Sequence, residues 1–124
     1  MIIKDIFFIL FIILFLDFVY ISTFGKYFSY LFQNVQKSPL KVNLFGFVCA
    51  YILLTFAVYY FGFLKNLSSK DMFILGFCIY GTYDLTNYTT FKNWEMKMVI
   101  LDSLWGGTLF YSTHRIAYYL SKTM

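Results

Sequence analysis

Charged residues are scarce in this sequence. They make up 13% of its 124 residues, whereas 60% are hydrophobic and 25% are aromatic, and the mean hydropathy is +0.68. A soluble domain usually carries about 25% charged residues and about 45 to 50% apolar residues. The composition therefore excludes an ordinary soluble globular domain and predicts a chain that lies in a lipid bilayer.

Cysteine and histidine are also rare. The two cysteines, Cys49 and Cys78, lie inside apolar runs, and His114 is the single histidine. A disulfide framework needs several cysteines in a short secreted chain, and a structural metal site needs clustered Cys or His ligands. We therefore expect no disulfide, no metal site and no cofactor, and we interpret His114 as a residue of the membrane interface.

Basic residues give the chain a net charge of +4, from ten Lys and Arg against six Asp and Glu. The cations stand singly between apolar runs and form no basic stripe of the kind that binds nucleic acids. We therefore expect no nucleic-acid partner. Their places between the apolar runs are those of anchors at the membrane surface.

Four apolar segments are long enough to cross a bilayer, whose hydrocarbon core of about 30 Å needs roughly 20 helical residues. They are residues 6–27, 40–63, 72–91 and 96–120. These segments predict an all-α fold, an integral membrane four-helix bundle, in which residues 1–124 form a single transmembrane domain. Four crossings place both termini on the same side of the membrane. The Lys and Arg residues divide equally between the two sides, so the positive-inside rule assigns no orientation.

Polar residues mark the starts of the later helices. Ser38 precedes Pro39, which is a favoured residue at the first position of a helix. Ser68 stands three residues before Asp71 in a capping-box pattern. Asn93 is predicted to cap the fourth helix. Together these signals support the boundaries of the second, third and fourth segments.

Three aspartates, Asp17, Asp84 and Asp102, fall inside the predicted spans. A charged Asp at the centre of a bilayer costs about 2.5 to 3.5 kcal/mol on insertion scales, so such residues face the bundle interior and mark functional sites by default. Asp84 and Asp102 each lie nine residues from Asn93, in the connection between the third and fourth helices. In an antiparallel hairpin these two carboxyl groups must therefore lie at about the same depth.

The sequence offers no cation at that depth, because Arg115 lies near the far end of the fourth helix. Burial and mutual repulsion both disfavour the charged form of a carboxyl group. We therefore expect either that some of these acids are protonated and donate hydrogen bonds, or that a cation or a cationic head group shares the site. A purely structural role, in which the acids bond one helix to another, is the competing interpretation.

Two motifs carry a resemblance to a known family. They are Tyr80-Gly81-Thr82-Tyr83-Asp84-Leu85-Thr86-Asn87 in the third helix and Asp102-Ser103-Leu104-Trp105-Gly106 in the fourth, with Thr90, Lys92 and Trp94 between them. Over most of its length the chain resembles the domain of unknown function 2177, a family of small predicted membrane proteins. In that family a Tyr-Asp-Leu-Thr-Asn segment ends the third helix and an Asp-x-x-Trp-Gly segment opens the fourth. The resemblance implies a four-helix integral membrane protein with no assigned reaction.

The sequence departs from the family pattern at two places. The Asp-x-x-Trp pattern of the first helix appears here as Asp17 with Tyr20, and Glu95 replaces the proline usual after the loop tryptophan. The candidate intramembrane polar site comprises the three aspartates and four polar or aromatic residues of the third and fourth helices: Asp17, Tyr80, Tyr83, Asp84, Asn87, Asp102 and Trp105.

Three functions compete at this point. The first is the binding of a proton, cation or lipid head group at the polar site, in a transporter, a channel or an accessory subunit. The second is a structural or interaction component of a membrane, such as a viral one, which forms a homo-oligomer or binds a membrane partner. The third is an enzyme that modifies lipids. It ranks last because the sequence contains no zinc or di-iron motif, no phosphate-binding glycine loop and no nucleophilic serine motif.

Overall fold

The computed structural model describes residues 2–37 and 43–123. In these ranges the chain forms four α-helices and no strand, which confirms the predicted all-α bundle. A short π-helical segment, hereafter the π segment, continues the second helix without a break. The elements are α1 Ile2–Gln36, α2 Leu44–Ala57, the π segment Val58–Leu64, α3 Ser69–Thr90 and α4 Met96–Thr123.

The first helix is longer than predicted. It continues past Tyr27 to Gln36, and Phe24 alone leaves helical geometry, with φ −109° and ψ 16°. Beyond Tyr27 the sequence mixes aromatic with polar residues, a pattern that is compatible with an extension of the helix into the headgroup layer. The helix continues there because fully buried Leu31 packs in an apolar cluster with Trp94, which gives the extension a buried face.

The second helix begins later than predicted. Asn43 has an extended backbone, with φ −84° and ψ 110°, and its side chain accepts a 3.0 Å hydrogen bond from the Gly46 amide. Asn43 therefore caps a helix that starts at Leu44, and the predicted start at residue 40 is wrong. The signal on which that start depended, Ser38 with Pro39, lies outside the described residues.

The third helix has the predicted cap and the fourth does not. The Ser68 hydroxyl accepts a 3.1 Å hydrogen bond from the Asp71 amide, and α3 begins at Ser69. Asn93 does not cap α4. Its side-chain amide instead donates a 3.0 Å hydrogen bond to the carbonyl oxygen of Asn34 on α1. Asn93 therefore ties the α3–α4 connection to the extension of α1.

Packing places α4 between α1 and α3. The contact of α3 with α4 is the most extensive in the described chain, because glycines let the two backbones approach. A Cβ atom built on Gly106 would lie 2.6 Å from the carbonyl oxygen of Gly76. At the end where α1 begins and α4 finishes, the Ser121 hydroxyl donates a 2.6 Å hydrogen bond to Asp5.

The second helix stands apart from α3 and α4. In the described residues, α2 packs against α1, and only the π segment reaches α3 and α4. Every residue from Asn43 to Ala50 is exposed, as are Ile52 and Leu53 further along. A continuous apolar surface of this kind is unusual on a soluble monomer and is typical of a helix that faces lipid.

Two segments of the described chain are long and apolar enough to span a membrane, Ile3–Gln36 and Leu44–Leu64. The other two helices have 22 and 28 residues, but their polar content is higher. Those polar residues include the candidate site, which lies between two apolar clusters. One cluster contains Ile13 and Leu109, and the other contains Leu31 and Met98.

Candidate functional site

The Asp17 carboxylate joins three helices. It lies on α1, is 7% exposed, and accepts two hydrogen bonds through its two oxygens. The Tyr51 hydroxyl of α2 donates one of them. The indole Nε1 of Trp105 on α4 donates the other, over 2.7 Å. Through these two hydrogen bonds, Asp17 connects α2 with α1 and α4.

The Asp102 carboxylate has a different donor. The Tyr20 hydroxyl, one turn along α1 from Asp17, donates a 3.0 Å hydrogen bond to Oδ1 of Asp102. The ring of Tyr20 stacks on Trp105, with 4.5 Å between ring centroids and 8° between planes. The two aspartates on α1 and α4 are therefore held by donors that themselves pack against each other.

The Asp84 carboxyl group lacks such a donor. It is fully buried, yet neither of its oxygens has a hydrogen-bond partner among the described residues. It lies close enough to the Asp102 carboxyl group and to the indole N–H group of Trp94 to interact with both. Among the described residues, the indole N–H group of Trp94 is likewise buried and has no hydrogen-bond partner. Asp84 is therefore a buried acceptor that has no well-formed hydrogen bond among the described residues.

All three aspartates line one cavity of about 420 Å³. It opens to the protein surface, and aromatic and aliphatic side chains form most of its wall. No Lys or Arg in the described residues lines it. The lining residues come from all four helices and from the α3–α4 connection: Asp17, Tyr20, Ile21, Phe28, Phe32, Phe47, Ala50, Tyr51, Leu54, Tyr80, Tyr83, Asp84, Trp94, Met98 and Asp102.

Of the seven residues of the candidate site, five line this cavity: Asp17, Tyr80, Tyr83, Asp84 and Asp102. Trp105 lies behind the wall and contacts the site through its hydrogen bond to Asp17. Asn87 does not line the cavity. It is half-buried, one turn beyond Asp84, and the connection contributes Trp94 to the wall instead.

Three residues of the site were not among those predicted. Tyr20 and Tyr51 donate to the aspartates, and Trp94 lies against Asp84. Tyr20 follows Asp17 at the spacing of the first-helix pattern, and Trp94 belongs to the motif of the connection, so the sequence carried a signal for both. Tyr51 was harder to identify, because most Phe and Tyr residues of a membrane protein face lipid or the interface. A signal was present for Tyr51 too. It and Thr55 are the only side chains of α2 that carry a hydroxyl group, and the hydroxyl of a buried Tyr usually finds a partner.

The three carboxyl groups do not form a metal site among the described residues. No group of three His, Cys, Asp or Glu side chains in residues 2–37 and 43–123 could hold a metal ion. Carboxylate oxygens also accept hydrogen bonds from ammonium, guanidinium and hydroxyl groups. The three carboxyl groups therefore offer acceptor oxygens to a group that presents hydrogen-bond donors.

A second buried polar group, His114, lies outside this cavity. His114 is 7% exposed, so its side chain is buried within the bundle and does not lie on the protein surface. Its Nε2 lies 3.1 Å from the carbonyl oxygen of Gly62 in the π segment, and its Nδ1 lies 2.8 Å from the Ser69 hydroxyl. Since a carbonyl oxygen can only accept, Nε2 carries the proton and Nδ1 accepts from Ser69. His114 thus attaches the π segment to α4 and to the start of α3.

Comparisons with known proteins bear on the whole chain. No curated protein and no solved structure matches it. The model of one family, described as a predicted membrane protein (DUF2177), matches residues 2–119. Both sequence motifs and every residue that lines the cavity fall within that match. The description of the family as membrane proteins implies that the chain lies in a lipid bilayer. The chain belongs to the DUF2177 family of predicted membrane proteins.

Proposed function

We propose that this chain binds, within the bilayer, a ligand group that is cationic or rich in hydrogen-bond donors, and that Asp84, Asp102 and Asp17 receive it. The observation that carries the proposal is the buried, unpartnered carboxyl group of Asp84. An unsatisfied buried polar group destabilises a protein by about 1 to 3 kcal/mol, and an unpaired charge costs more. A donor from a ligand removes that penalty.

The proposal includes four membrane crossings with both termini on one side. At 22 and 28 residues, α3 and α4 are long enough to cross a core of about 30 Å. Their polar side chains are compatible with crossing because several face the bundle interior, as Asp84 and Ser103 do. The hydrogen bond between Ser121 and Asp5 brings the first turn of α1 beside the last turn of α4.

The size of the cavity favours an organic ligand over a proton or a bare cation. Small-molecule pockets in proteins usually measure about 300 to 1,000 Å³ and combine apolar walls with a few converging polar groups. The cavity here, about 420 Å³, has that character. The carboxylates of Asp17 and Asp102 already accept hydrogen bonds from Tyr20, Tyr51 and Trp105, which holds these two acceptors in fixed positions in the same cavity as Asp84.

Tryptophan fluorescence is a direct test, because the two tryptophans of the chain are both at the site. Trp94 lies against Asp84, and Trp105 is hydrogen-bonded to Asp17. Protein in detergent is titrated separately with alkylamines, Na⁺, K⁺ and Ca²⁺. We expect a saturable change with amines, which Asp84→Asn weakens by about tenfold or more and which the exposed control Asp71→Asn retains. The proposal fails if no amine changes the fluorescence, or if both variants respond like the wild type.

Reconstitution separates the roles that such binding can serve. In a transporter, liposomes that contain the protein accumulate the amine faster than empty liposomes, and Asp84→Asn removes the difference. In an accessory subunit, binding persists without flux. We place binding first because it is common to both roles and depends only on the geometry of the three acids.

A further inference from the structure

We infer that the ligand is a lipid with a cationic head group and no phosphate, and that it reaches the three aspartates sideways, from the bilayer, between α2 and α3. This inference rests on the proposed function and specifies both the ligand class and its route. Three observations carry it: a gap between two helices, exposed side chains at its mouth, and the charge of the cavity wall.

The gap follows from the way α2 is attached. In the described part of the chain, the backbone of α2 does not come close to α3 or α4, and the second span approaches these two helices through the π segment. Phe47 and Ala50 of α2 nevertheless line the same cavity as Tyr80 and Tyr83 of α3. Side chains of the two helices therefore face each other across open space.

The mouth of the cavity lies at the surface of the bundle. Phe47 is 41% exposed and Tyr83 is 53% exposed, whereas Asp84 behind them is fully buried. Ala50, with the smallest side chain of the lining, is also exposed. On the α2 side, the mouth is bordered by the exposed apolar residues of that helix, which face lipid. A molecule can thus pass from the bilayer to the acids without crossing a layer of water.

The walls determine which lipid fits. The polar groups of the cavity include three carboxyls and no described Lys or Arg, so a phosphate would meet repulsion without any compensating cation. An ammonium group offers three N–H donors, which the free oxygens of Asp84 and the neighbouring Asp102 can accept. The aromatic and aliphatic wall, which includes Phe28 and Leu54, suits a hydrocarbon chain.

The test compares three probes that differ in one property each. Protein in nanodiscs of phosphatidylcholine is titrated with hexadecylamine, ethylamine and hexadecyl phosphate, and tryptophan fluorescence is recorded. We expect hexadecylamine to bind at least about tenfold more tightly than ethylamine, and hexadecyl phosphate to produce no saturable change. Asp84→Asn should weaken the binding of hexadecylamine by about tenfold or more, as expected for the loss of a charged hydrogen bond.

A pair of variants on α2 tests the route. Ala50→Phe places a ring in the mouth of the cavity, whereas Leu53→Phe places one on the same helix at a position that is 67% exposed and outside the lining. We expect Ala50→Phe to slow the binding of hexadecylamine and Leu53→Phe to leave it unchanged. Equal rates in the two variants would overturn the lateral route.

The outcomes distinguish this inference from the proposed function. If ethylamine binds as tightly as hexadecylamine and Asp84→Asn removes both signals, the ligand is a soluble amine. The lipid assignment then fails and the proposed function stands. If hexadecyl phosphate binds as well as the amine, the charge argument fails. If no amine binds the wild-type protein, the inference and the proposed function both fail.

Discussion

Tyr20 and Trp105 stack face to face, with 4.5 Å between ring centroids, and each of the two rings donates a hydrogen bond to a different aspartate. Tyr20 donates to Asp102 across to α4, and Trp105 donates to Asp17 across to α1. The two bonds run in opposite directions between the same pair of helices. The stack therefore fixes two carboxyl groups relative to each other, whereas the third, Asp84, has no hydrogen-bond donor of this kind among the described residues.

Replacing Trp105 with Phe tests this arrangement. Trp105→Phe keeps an aromatic ring beside Tyr20 but removes the N–H group that donates to Asp17. Loss of one partner from a buried hydrogen bond costs about 1 to 3 kcal/mol. We therefore expect a lower midpoint of thermal unfolding in detergent, measured by circular dichroism.

The control is Tyr119→Phe, which removes a hydroxyl group from an aromatic residue that is 68% exposed. It should unfold at the wild-type temperature. A wild-type midpoint for Trp105→Phe would mean that the indole bond to Asp17 contributes nothing to the stability of the bundle.

Asp84 and Asp17 should respond to substitution in opposite directions. Asp84→Leu replaces a buried carboxyl group without partners by an apolar side chain of similar size, so it should stabilise the ligand-free protein by about 1 to 3 kcal/mol. Asp17→Leu leaves the donors of Tyr51 and Trp105 unpaired and should destabilise it. Unfolding in increasing denaturant measures both.

The same substitution that stabilises the protein should abolish the binding of hexadecylamine. A functional group is often retained at the expense of stability, and this pairing of effects separates a binding residue from a structural one. If Asp84→Leu instead lowers stability about as much as Asp17→Leu, then Asp84 serves to hold the helices together.

The fold and much of the site could be predicted from the sequence, because both depend on local patterns. Asp84 and Asp102 each lie nine residues from Asn93, so an antiparallel hairpin is enough to place their carboxyl groups at the same depth. That prediction does not depend on a third helix or on a crossing angle. The structure indeed brings both carboxyl groups to one cavity. Ser68 capped α3 as predicted, since a cap is made by residues three positions apart.

The parts that could not be predicted depend on contacts between distant segments. Asn93 was expected to cap α4, but its side-chain amide donates a hydrogen bond to the carbonyl oxygen of Asn34, which is far away in the sequence. Tyr51 lies in the most uniformly apolar helix, and nothing in its neighbours indicates that it reaches Asp17. Asn87 shares a helical face with Asp84, yet it lies outside the cavity. Periodicity identifies a face of a helix but not the extent of the cavity along it.

The close approach of α3 and α4 should tolerate no added methyl group. A Cβ atom on Gly106 would lie 2.6 Å from the carbonyl oxygen of Gly76 and would also collide with the Tyr80 side chain. Overpacking of this kind costs about 1 to 3 kcal/mol. We expect Gly106→Ala to lower the unfolding midpoint and, because Tyr80 lines the cavity, to weaken the binding of hexadecylamine.

Gly25→Ala is the matched control, because a Cβ atom there meets nothing within 4 Å. Alanine is favoured over glycine inside a helix by about 0.5 to 1 kcal/mol, so this variant should unfold at or above the wild-type temperature. Equal midpoints for Gly106→Ala and the wild type would show that the two helices can separate without loss.

His114 should control the mobility of the π segment. His114→Leu removes the donor to Gly62 and the acceptor for Ser69, and both partners are then left unpaired. Because the π segment is the only part of the second span that packs on α3 and α4 in the described residues, its release should loosen the whole span. Hydrogen–deuterium exchange in nanodiscs should show faster uptake across Val58–Leu64. Arg115→Gln, at the exposed neighbouring position, should exchange like the wild type. If His114→Leu exchanges no faster than Arg115→Gln, the π segment is held by its own backbone and by apolar packing around Val58, and the histidine is dispensable.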